Sequence, residues 1–456
     1  MNRPLLLGVL LAAGLAPSGA NEARAQPAAR AVGASPAAPE VADVPGLPPA
    51  AGENPRVYAN TPDELRPYSR FVQQPYSRFF VDELVHTGPG RSKPDPVLDR
   101  VRIGLIAPLE STHEAYLGQD ILHGTQLAIA DANAEGGWHG KPFELVVRND
   151  LGRWGATANE VIQLAYDEQV RLILGSVDGA NTHIAIRVAL KVEIPMINTG
   201  DLDPTLVETK IPWVFRVVGD DRQAAYTLAF YLYRQLGLSK VAILRANNRY
   251  GRFGVAEFIA SSVRLQRPAP LEVNYEVSWE QTNSDFAMQL ARLRQVEHQA
   301  LVLWADARPA GRIVRLLRAA GNDVPVYACD RVIHPDFFAE AGAHAEGVVA
   351  VSPYDPASQP PGLAELERRY GERFGREPSH YALHAYDGAW LGIAAIRKAG
   401  LSWARIRDAI GELAPFQGVT GEIAFDGSLS NRRRMTLATA RGGRFVFGEP
   451  QAEQRF

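Results

Sequence analysis

From Val101 onward the chain alternates short, continuously apolar runs with longer amphipathic stretches, and no other feature constrains its fold as tightly. Val101 to Ala107 reads as a buried strand, and residues 117–135 as an amphipathic helix that stops at Gly136-Gly137. The pattern repeats with strand-like segments at Phe143 to Arg148, Arg171 to Gly175, Ile194 to Asn198 and Val214 to Val218. It starts afresh at Lys240 to Leu244 and continues through Ala300 to Leu303, Val324 to Ala328 and Gly347 to Val351. Helical periodicity fills residues 156–168, 220–236, 285–297 and 308–320. Apolar strands separated by helices predict parallel sheets covered on both faces. With 456 residues and a fresh start at Lys240, the expectation is an α/β chain of two doubly wound parallel-sheet lobes, not one closed barrel.

Open parallel sheets bind ligands beyond the carboxyl ends of their strands, where the strand order reverses. Those ends are Leu109-Glu110-Ser111, Asn149-Asp150, Ser176-Val177-Asp178-Gly179, Thr199-Gly200-Asp201, Arg245-Ala246-Asn247, Trp304-Ala305-Asp306 and Ala328-Cys329-Asp330. A single Asp at such a place is often only a helix N-cap. Several together point to one shared polar cleft. Tyr116, Trp154, Trp304, Tyr327 and Tyr354 are the aromatic candidates for its wall, and Trp304 reads equally well as a core-capping indole.

What precedes the folded body reads as an address and a tail. Asn2-Arg3-Pro4, an apolar run from Leu5 to Ala16, and Ala23-Arg24-Ala25 form a signal peptide over residues 1–25, cleaved before Gln26. The run is shorter than the roughly 20 residues needed to span a bilayer. No cysteine follows it, so the expected product is a soluble periplasmic protein without a lipid anchor or inserted segment. Residues 26–98 form an extension. Residues 26–60 hold seven of the chain's 32 prolines and few large apolar side chains, which predicts a linker. A near-repeat follows, Pro67-Tyr68-Ser69-Arg70-Phe71 and Pro75-Tyr76-Ser77-Arg78-Phe79, readable as a surface clasp or as a docking peptide.

Several functional classes are set aside by chemistry. The net charge of −3, with no Lys/Arg-rich block, argues against a nucleic-acid partner. The one cysteine, Cys329, excludes an intramolecular disulfide framework and a cysteine-rich zinc site. No His-Glu-x-x-His, Gly-x-Ser-x-Gly, Gly-x-Gly-x-x-Gly or P-loop pattern occurs, so neither catalysis nor a cofactor is expected. His380, His384 and Asp387 share a helix face at metal-ligand spacing, but a polar or capping role is the expected one and no metal site is expected.

The order of these segments resembles the type I periplasmic binding proteins, specifically the leucine/isoleucine/valine-binding branch that feeds ABC importers. The resemblance runs from Asp99 to Phe447. It rests on Val101-Arg102-Ile103-Gly104, Tyr116-Leu117-Gly118, Gly124 and the stretch from Ala128 to Gly137. Leu174-Gly175-Ser176, the stretch from Ile194 to Thr199, Asn248-Arg249-Tyr250-Gly251, Tyr381 to Gly388 and Phe416 to Asp426 continue it. It implies lobe 1 at 100–218 plus 352–430, lobe 2 at 219–351 plus 431–447, and three hinge crossings near Val217-Val218, Ser352-Pro353 and Arg432-Arg433-Arg434. A small-molecule ligand would be trapped by hinge closure and passed to a membrane ABC permease. The alternative is a periplasmic ligand sensor or accessory protein that docks through its extension.

The resemblance also implies pocket residues, and there the chain departs from the pattern. Asp330 falls where the branch has the acid that grips a ligand ammonium. On the carboxylate side, the position after Asp178, Ser in that branch, is Gly179, and a second hydroxyl position is Leu202. Backbone N–H groups after Gly179, with Asn181, Thr182 and Thr199, remain as donors. Asp178, Asp201, Asp203 and Asp306 sit around the same cleft and would repel a ligand carboxylate. An amino-acid-like ligand and a cationic or neutral one both remain open.

Overall fold

The computed structural model describes residues 84, 86, 88–277, 286–431, 433 and 435–448. The predicted leader, the proline-rich stretch, the aromatic near-repeat, and Arg432 and Arg434 of the third crossing lie outside the described residues.

The first sheet contains β1 (Val101–Ala107), β2 (Phe143–Asn149), β3 (Ile173–Leu174), β4 (Met196–Asn198) and β5 (Val214–Arg216), in the order β2-β1-β3-β4-β5 with every pairing parallel. Helices α1 (Ala115–Ala134), α2 (Trp154–Tyr166) and α3 (Gly179–Val192) make the crossovers. Side chains of β1 alternate between two cores, as the pleat dictates. Val101, Ile103 and Leu105 pack with Leu117 and Ile121 of α1, whereas Ile106 packs with Val161 and Leu164 of α2. That two-sided burial is why the strand reads as continuously apolar.

The chain then crosses to a second sheet through α4 (Asp221–Phe230). Strands β6 (Val241–Ala246), β7 (Leu271–Tyr275), β8 (Ala300–Trp304), β9 (Val326–Ala328) and β10 (Val349–Ser352) are parallel. They are interleaved with α5 (Arg249–Arg264), α6 (Ala287–Arg294), α7 (Ala307–Ala319) and α8 (Pro335–Ala341). A return to the first lobe supplies α9 (Leu363–Phe374), α10 (His380–Ala399), α11 (Trp403–Glu412) and the small hairpin of β11 (Phe416–Gly418) and β12 (Gly421–Ile423). A last crossing adds β13 (Thr436–Arg441) and β14 (Arg444–Phe447), both antiparallel, giving the order β14-β13-β10-β9-β8-β6-β7. Edge strand β7 was not anticipated, because its Glu272 and Asn274 interrupt the apolar run. Two doubly wound lobes joined by three crossings are the result.

Two contacts fix parts that matter to the cleft. Helix α1 lies so close to α10 that a Cβ on Gly124 would fall 1.9 Å from the Ala382 carbonyl oxygen, so only glycine fits there. The first and third crossings are stitched together: Arg216 N–H donates to the Leu429 carbonyl at 2.9 Å, Asn431 N–H to the Arg216 carbonyl at 2.8 Å, and Asn431 Nδ2 to the Val217 carbonyl at 2.7 Å. Parallel crossings bonded in this way resist twisting and leave hinge bending as the soft motion. The end of the extension is a strap on α11: Ser402 Oγ donates to the Gly90 carbonyl at 3.0 Å, and Arg405 reaches the Arg91 and Lys93 carbonyls at 2.8 Å and the Asp95 carboxylate.

Candidate ligand-binding cleft

Loops from the carboxyl ends of both sheets face each other, and each is shaped by its own side chains. After β4, Asn198 Oδ1 accepts the Gly200 and Asp201 N–H groups at 3.1 and 2.9 Å, folding the turn that carries Asp201. Asp201 Oδ1 accepts the Asp203 N–H at 2.9 Å, and Asp203 Oδ1 accepts the Thr205 N–H at 2.8 Å. These short side-chain-to-backbone bonds replace regular structure. On the other side, Asp220 caps α4 by accepting the Arg222 and Gln223 N–H groups, and Gln223 Oε1 accepts the Asp220 N–H in return. Asp221, one residue on, takes no part in the cap.

Arg331 ties the lobes together at the centre. Its side chain is 3% exposed. Nη1 donates to Glu114 Oε1 across the cleft at 2.7 Å and to Asp306 Oδ1 at 3.0 Å, while Nη2 reaches the Val177 carbonyl at 3.4 Å. The guanidinium also lies 3.8 Å over the Tyr250 ring. Burial opposes the charge, but Glu114, Asp306 and the neighbouring tyrosines outweigh it, so the pKa of Arg331 is raised. Tyr116 Oη stands 3.5 Å from Asp306 Oδ1 and accepts the Ala307 N–H at 3.4 Å. Further links cross the cleft, among them Arg249 to Asp203, and His334 Nε2 to Asp120 of α1 at 3.6 Å.

Asp330 is 1% exposed, and both its oxygens are engaged: Tyr250 Oη donates at 2.6 Å and Tyr381 Oη at 2.7 Å, with His380 Nε2 at 3.3 Å. Burial pushes its carboxyl up, yet His380, Tyr250 and Arg331 together bring it below the usual range. The carboxylate expected to grip a ligand is therefore already held by protein groups.

At the start of α3, Asp178 accepts the Ala180 N–H at 3.2 Å, and Thr182 Oγ1 donates to the Asp178 carbonyl at 2.9 Å. A Cβ on Gly179 would lie 2.4 Å from Asp203 Oδ2 and 2.9 Å from Arg249 Nε, so the cross-lobe ion pair covers this helix end. Asn181, Thr182 and Thr199 are fully buried, and Thr199 Oγ1 has no hydrogen-bond partner. Burial, with Glu114 nearby, pushes the Asp178 carboxyl up to about 6; burial does the same for Asp150. Trp304 lies in the second-lobe core, where its ring fills the space a Cβ on Gly254 of α5 would need, 2.2 Å away. Two cavities adjoin these residues. One of about 280 Å³ is bordered by His113, Glu114, Asp178, Asn248, Arg249 and Tyr250. A chamber of about 10 Å³ is lined by the acids Asp201, Asp203 and Asp221 together with Arg249, Tyr250 and Arg331. Trp304 lines neither.

Sequence reasoning passed over Glu114, Tyr250, Tyr381 and Asp221. Asp221 left one usable signal: of two consecutive aspartates at a helix start, one suffices to cap. Among the described residues no group of three or more His, Cys, Asp or Glu is arranged to hold a metal. His384 Nδ1 bonds the His380 carbonyl at 2.8 Å, and Asp387 accepts the Val419 and Thr420 N–H groups at 2.7 and 2.9 Å. Cys329 is fully buried, and burial pushes its thiol far up, away from nucleophilic character.

Residues 100–444 match the family model described as periplasmic binding protein. The chain belongs to the periplasmic binding protein family. Among curated relatives it is 27% identical over 331 residues to the Leu/Ile/Val-binding protein homolog 2 of Brucella abortus, spanning 72% of this chain and 86% of that one. A Streptococcus pneumoniae branched-chain amino acid transporter substrate-binding protein in complex with isoleucine shares the fold, with a TM-score of 0.69 and 22% identity over 76% of this chain and 100% of that one. An R. palustris solute-binding protein in complex with benzoate matches with a TM-score of 0.68 and 18% identity over 76% and 95%. The family is one of binding proteins, not enzymes, and membership implies an extracytoplasmic location. No helix among the described residues is long and apolar enough to cross a membrane.

Proposed function

We propose that this periplasmic binding protein captures a small amino-acid-like or related polar metabolite between its lobes and presents it to a membrane ABC permease. The observation that carries the reading is the polar cleft spanned by Arg331–Glu114, Arg249–Asp203 and Tyr381–Asp330, each pair joining one lobe to the other. Three crossings allow the lobes to part, and a ligand that bonds both faces favours the shut state. Tyr116, Asp178, Asn181, Thr182, Thr199, Asp201, Asp306 and Asp330 are the candidate lining, with Gly179 keeping space beside α3. The permease would read the paired lobe surfaces. The leader would be removed before Gln26, which the mass of the exported protein checks. Mass spectrometry of the solute that co-purifies, followed by titration calorimetry and small-angle scattering with it, tests the reading. Binding with compaction is expected, and conversion of the solute into a new compound would overturn it.

A second reading, docking through the extension, is favoured by the strap of Gly90 to Asp95 on α11, which fixes the tail's origin to the first lobe. Deleting residues 26–80 spares that strap. Unchanged uptake and ligand binding in the deletion would remove the reading.

A further inference from the structure

The branch that this chain resembles holds a ligand ammonium on the acid at Asp330, but here Asp330 is saturated by Tyr250 and Tyr381. The unsatisfied acid lies elsewhere. Asp221 is fully buried, and neither of its carboxylate oxygens has a hydrogen-bond partner. Asp201 is 3% exposed, and its Oδ2 is likewise without one; the Thr182 hydroxyl beside it donates to the Asp178 carbonyl. Both residues line the chamber of about 10 Å³. Buried carboxylate oxygens left bare are costly, and native structures satisfy them with a cation, a proton or a water.

Most N–H groups of the protein's own cations at this place are already committed, with Arg331 Nε left buried and without a hydrogen-bond partner. Arg249 is bonded to Asp203 and Thr205, and the terminal nitrogens of Arg331 go to Glu114, Asp306 and the Val177 carbonyl. The acid surplus acts on both carboxyls: burial pushes the Asp221 pKa up, and Asp330, Asp203 and Asp220 push it further, with Arg331 offsetting only part. Burial and Asp203 raise Asp201 in the same sense, with the Thr182 hydroxyl and the Asp203 N–H offsetting part. The backbone places the two acids on opposite lobes and close together, since the Asp221 N–H donates to the Leu202 carbonyl at 2.9 Å. A group held by both would bridge the cleft beside the hinge.

We propose that the ligand enters this chamber with a primary ammonium head, bonded to Asp201 from the first lobe and Asp221 from the second. This rests on the solute-binding reading and specifies the ligand as an amine. The chamber's size selects the head: about 10–15 Å³ holds one water-sized group, which an –NH₃⁺ matches and a trimethylammonium exceeds. The walls beside it, Tyr250 and Phe253, suit the adjoining carbon chain, and Phe253 is itself shielded by the Arg249 guanidinium at 4.3 Å. A carboxylate next to the amine finds no free place at the start of α3, where Asp178 takes the Ala180 N–H and the Asp203–Arg249 pair covers Gly179.

The test uses methylammonium and tetramethylammonium chloride at matched ionic strength on the mature protein, read by titration calorimetry and thermal shift. Methylammonium is expected to bind and stabilise, and tetramethylammonium to do neither. Loss of one charge-assisted bond in Asp221→Asn or Asp201→Asn weakens methylammonium about tenfold or more. Asp131→Asn, a control at an acid of α1 that pairs with Arg369 away from the chamber, leaves it within about threefold, short of the loss of one such bond. The assignment fails if methylammonium does not bind, as it would where the chamber holds only a water. It also fails if tetramethylammonium binds equally, or if Asp330→Asn rather than Asp221→Asn abolishes binding. Compaction by a co-purified solute that lacks an amine would sink this assignment and leave the solute-binding reading standing; absence of any bound solute or compaction would sink that reading.

Discussion

Replacing Arg331 by Met keeps most of the side chain's length and removes the charge that spans the cleft. In the shut state Arg331 donates to Glu114 on one lobe and Asp306 on its own, with its side chain 3% exposed and that of Glu114 5%. When the lobes part, the Asp306 contact stays and the Glu114 contact is lost to water. The difference between the two states is therefore about one charge-assisted hydrogen bond, ~1.5–3 kcal/mol. In the variant, closing must also bury Glu114 without its partner, which adds to the loss. Arg331→Met should shift the ratio of shut to open molecules about 10- to 150-fold towards open, since ~1.4 kcal/mol is a factor of ten. Energy transfer between dyes on the two lobes measures that ratio in the ligand-free protein, and small-angle scattering should show a larger radius of gyration. A double-mutant cycle with Glu114→Gln isolates the pair and should return a coupling above about 1 kcal/mol. Identical distance distributions for wild type and Arg331→Met, or additivity within about 0.5 kcal/mol, would refute the tie.

Three other outcomes follow from the same geometry. Asp150 and Asp178 have folded-state pKa values raised to about 6, so their ionisation destabilises the fold as pH climbs through that value, while below about pH 4 the term is absent. Asp150→Asn should therefore gain stability over wild type by on the order of 1–3 kcal/mol at neutral pH and lose that gain in acid; a pH-independent difference in melting temperature would show the reasoning wrong. Gly254→Ala sets a methyl 2.2 Å from the Trp304 ring and should destabilise the second lobe by about 1–3 kcal/mol in urea melts, with Trp304→Leu in the same chain recovering part of it. Independent, additive costs would place the indole elsewhere. Arg405→Ala removes the bonds to the Arg91 and Lys93 carbonyls and should lower hydrogen-exchange protection of the strap about tenfold, leaving α10 unchanged.

Much of the architecture was legible because its causes are local. The apolar runs at Val101 to Ala107 and Ala300 to Leu303 can only be strands covered on both faces, and they form β1 and β8. Edge strand β7 escaped notice because an edge buries little and carries polar residues. Positions at the strand ends were legible too: Asp178, Asp201, Asp306 and Asp330 all arrive at the cleft. Their partners were not. Trp304 reads identically as a wall or as core until α5 is seen to bring Gly254 over it.

What the sequence determined by itself is the alternation that builds two lobes and delivers a ring of acids to one cleft, since both depend on neighbours along the chain. Which acids are neutralised was decided only by the tertiary structure. Glu114 and Arg331 are separated by 217 residues, and Tyr381 and Asp330 by 51, yet each pair meets across the cleft. Charge compensation depends on distance through space, and that distance is set by how the lobes close rather than by any local spacing.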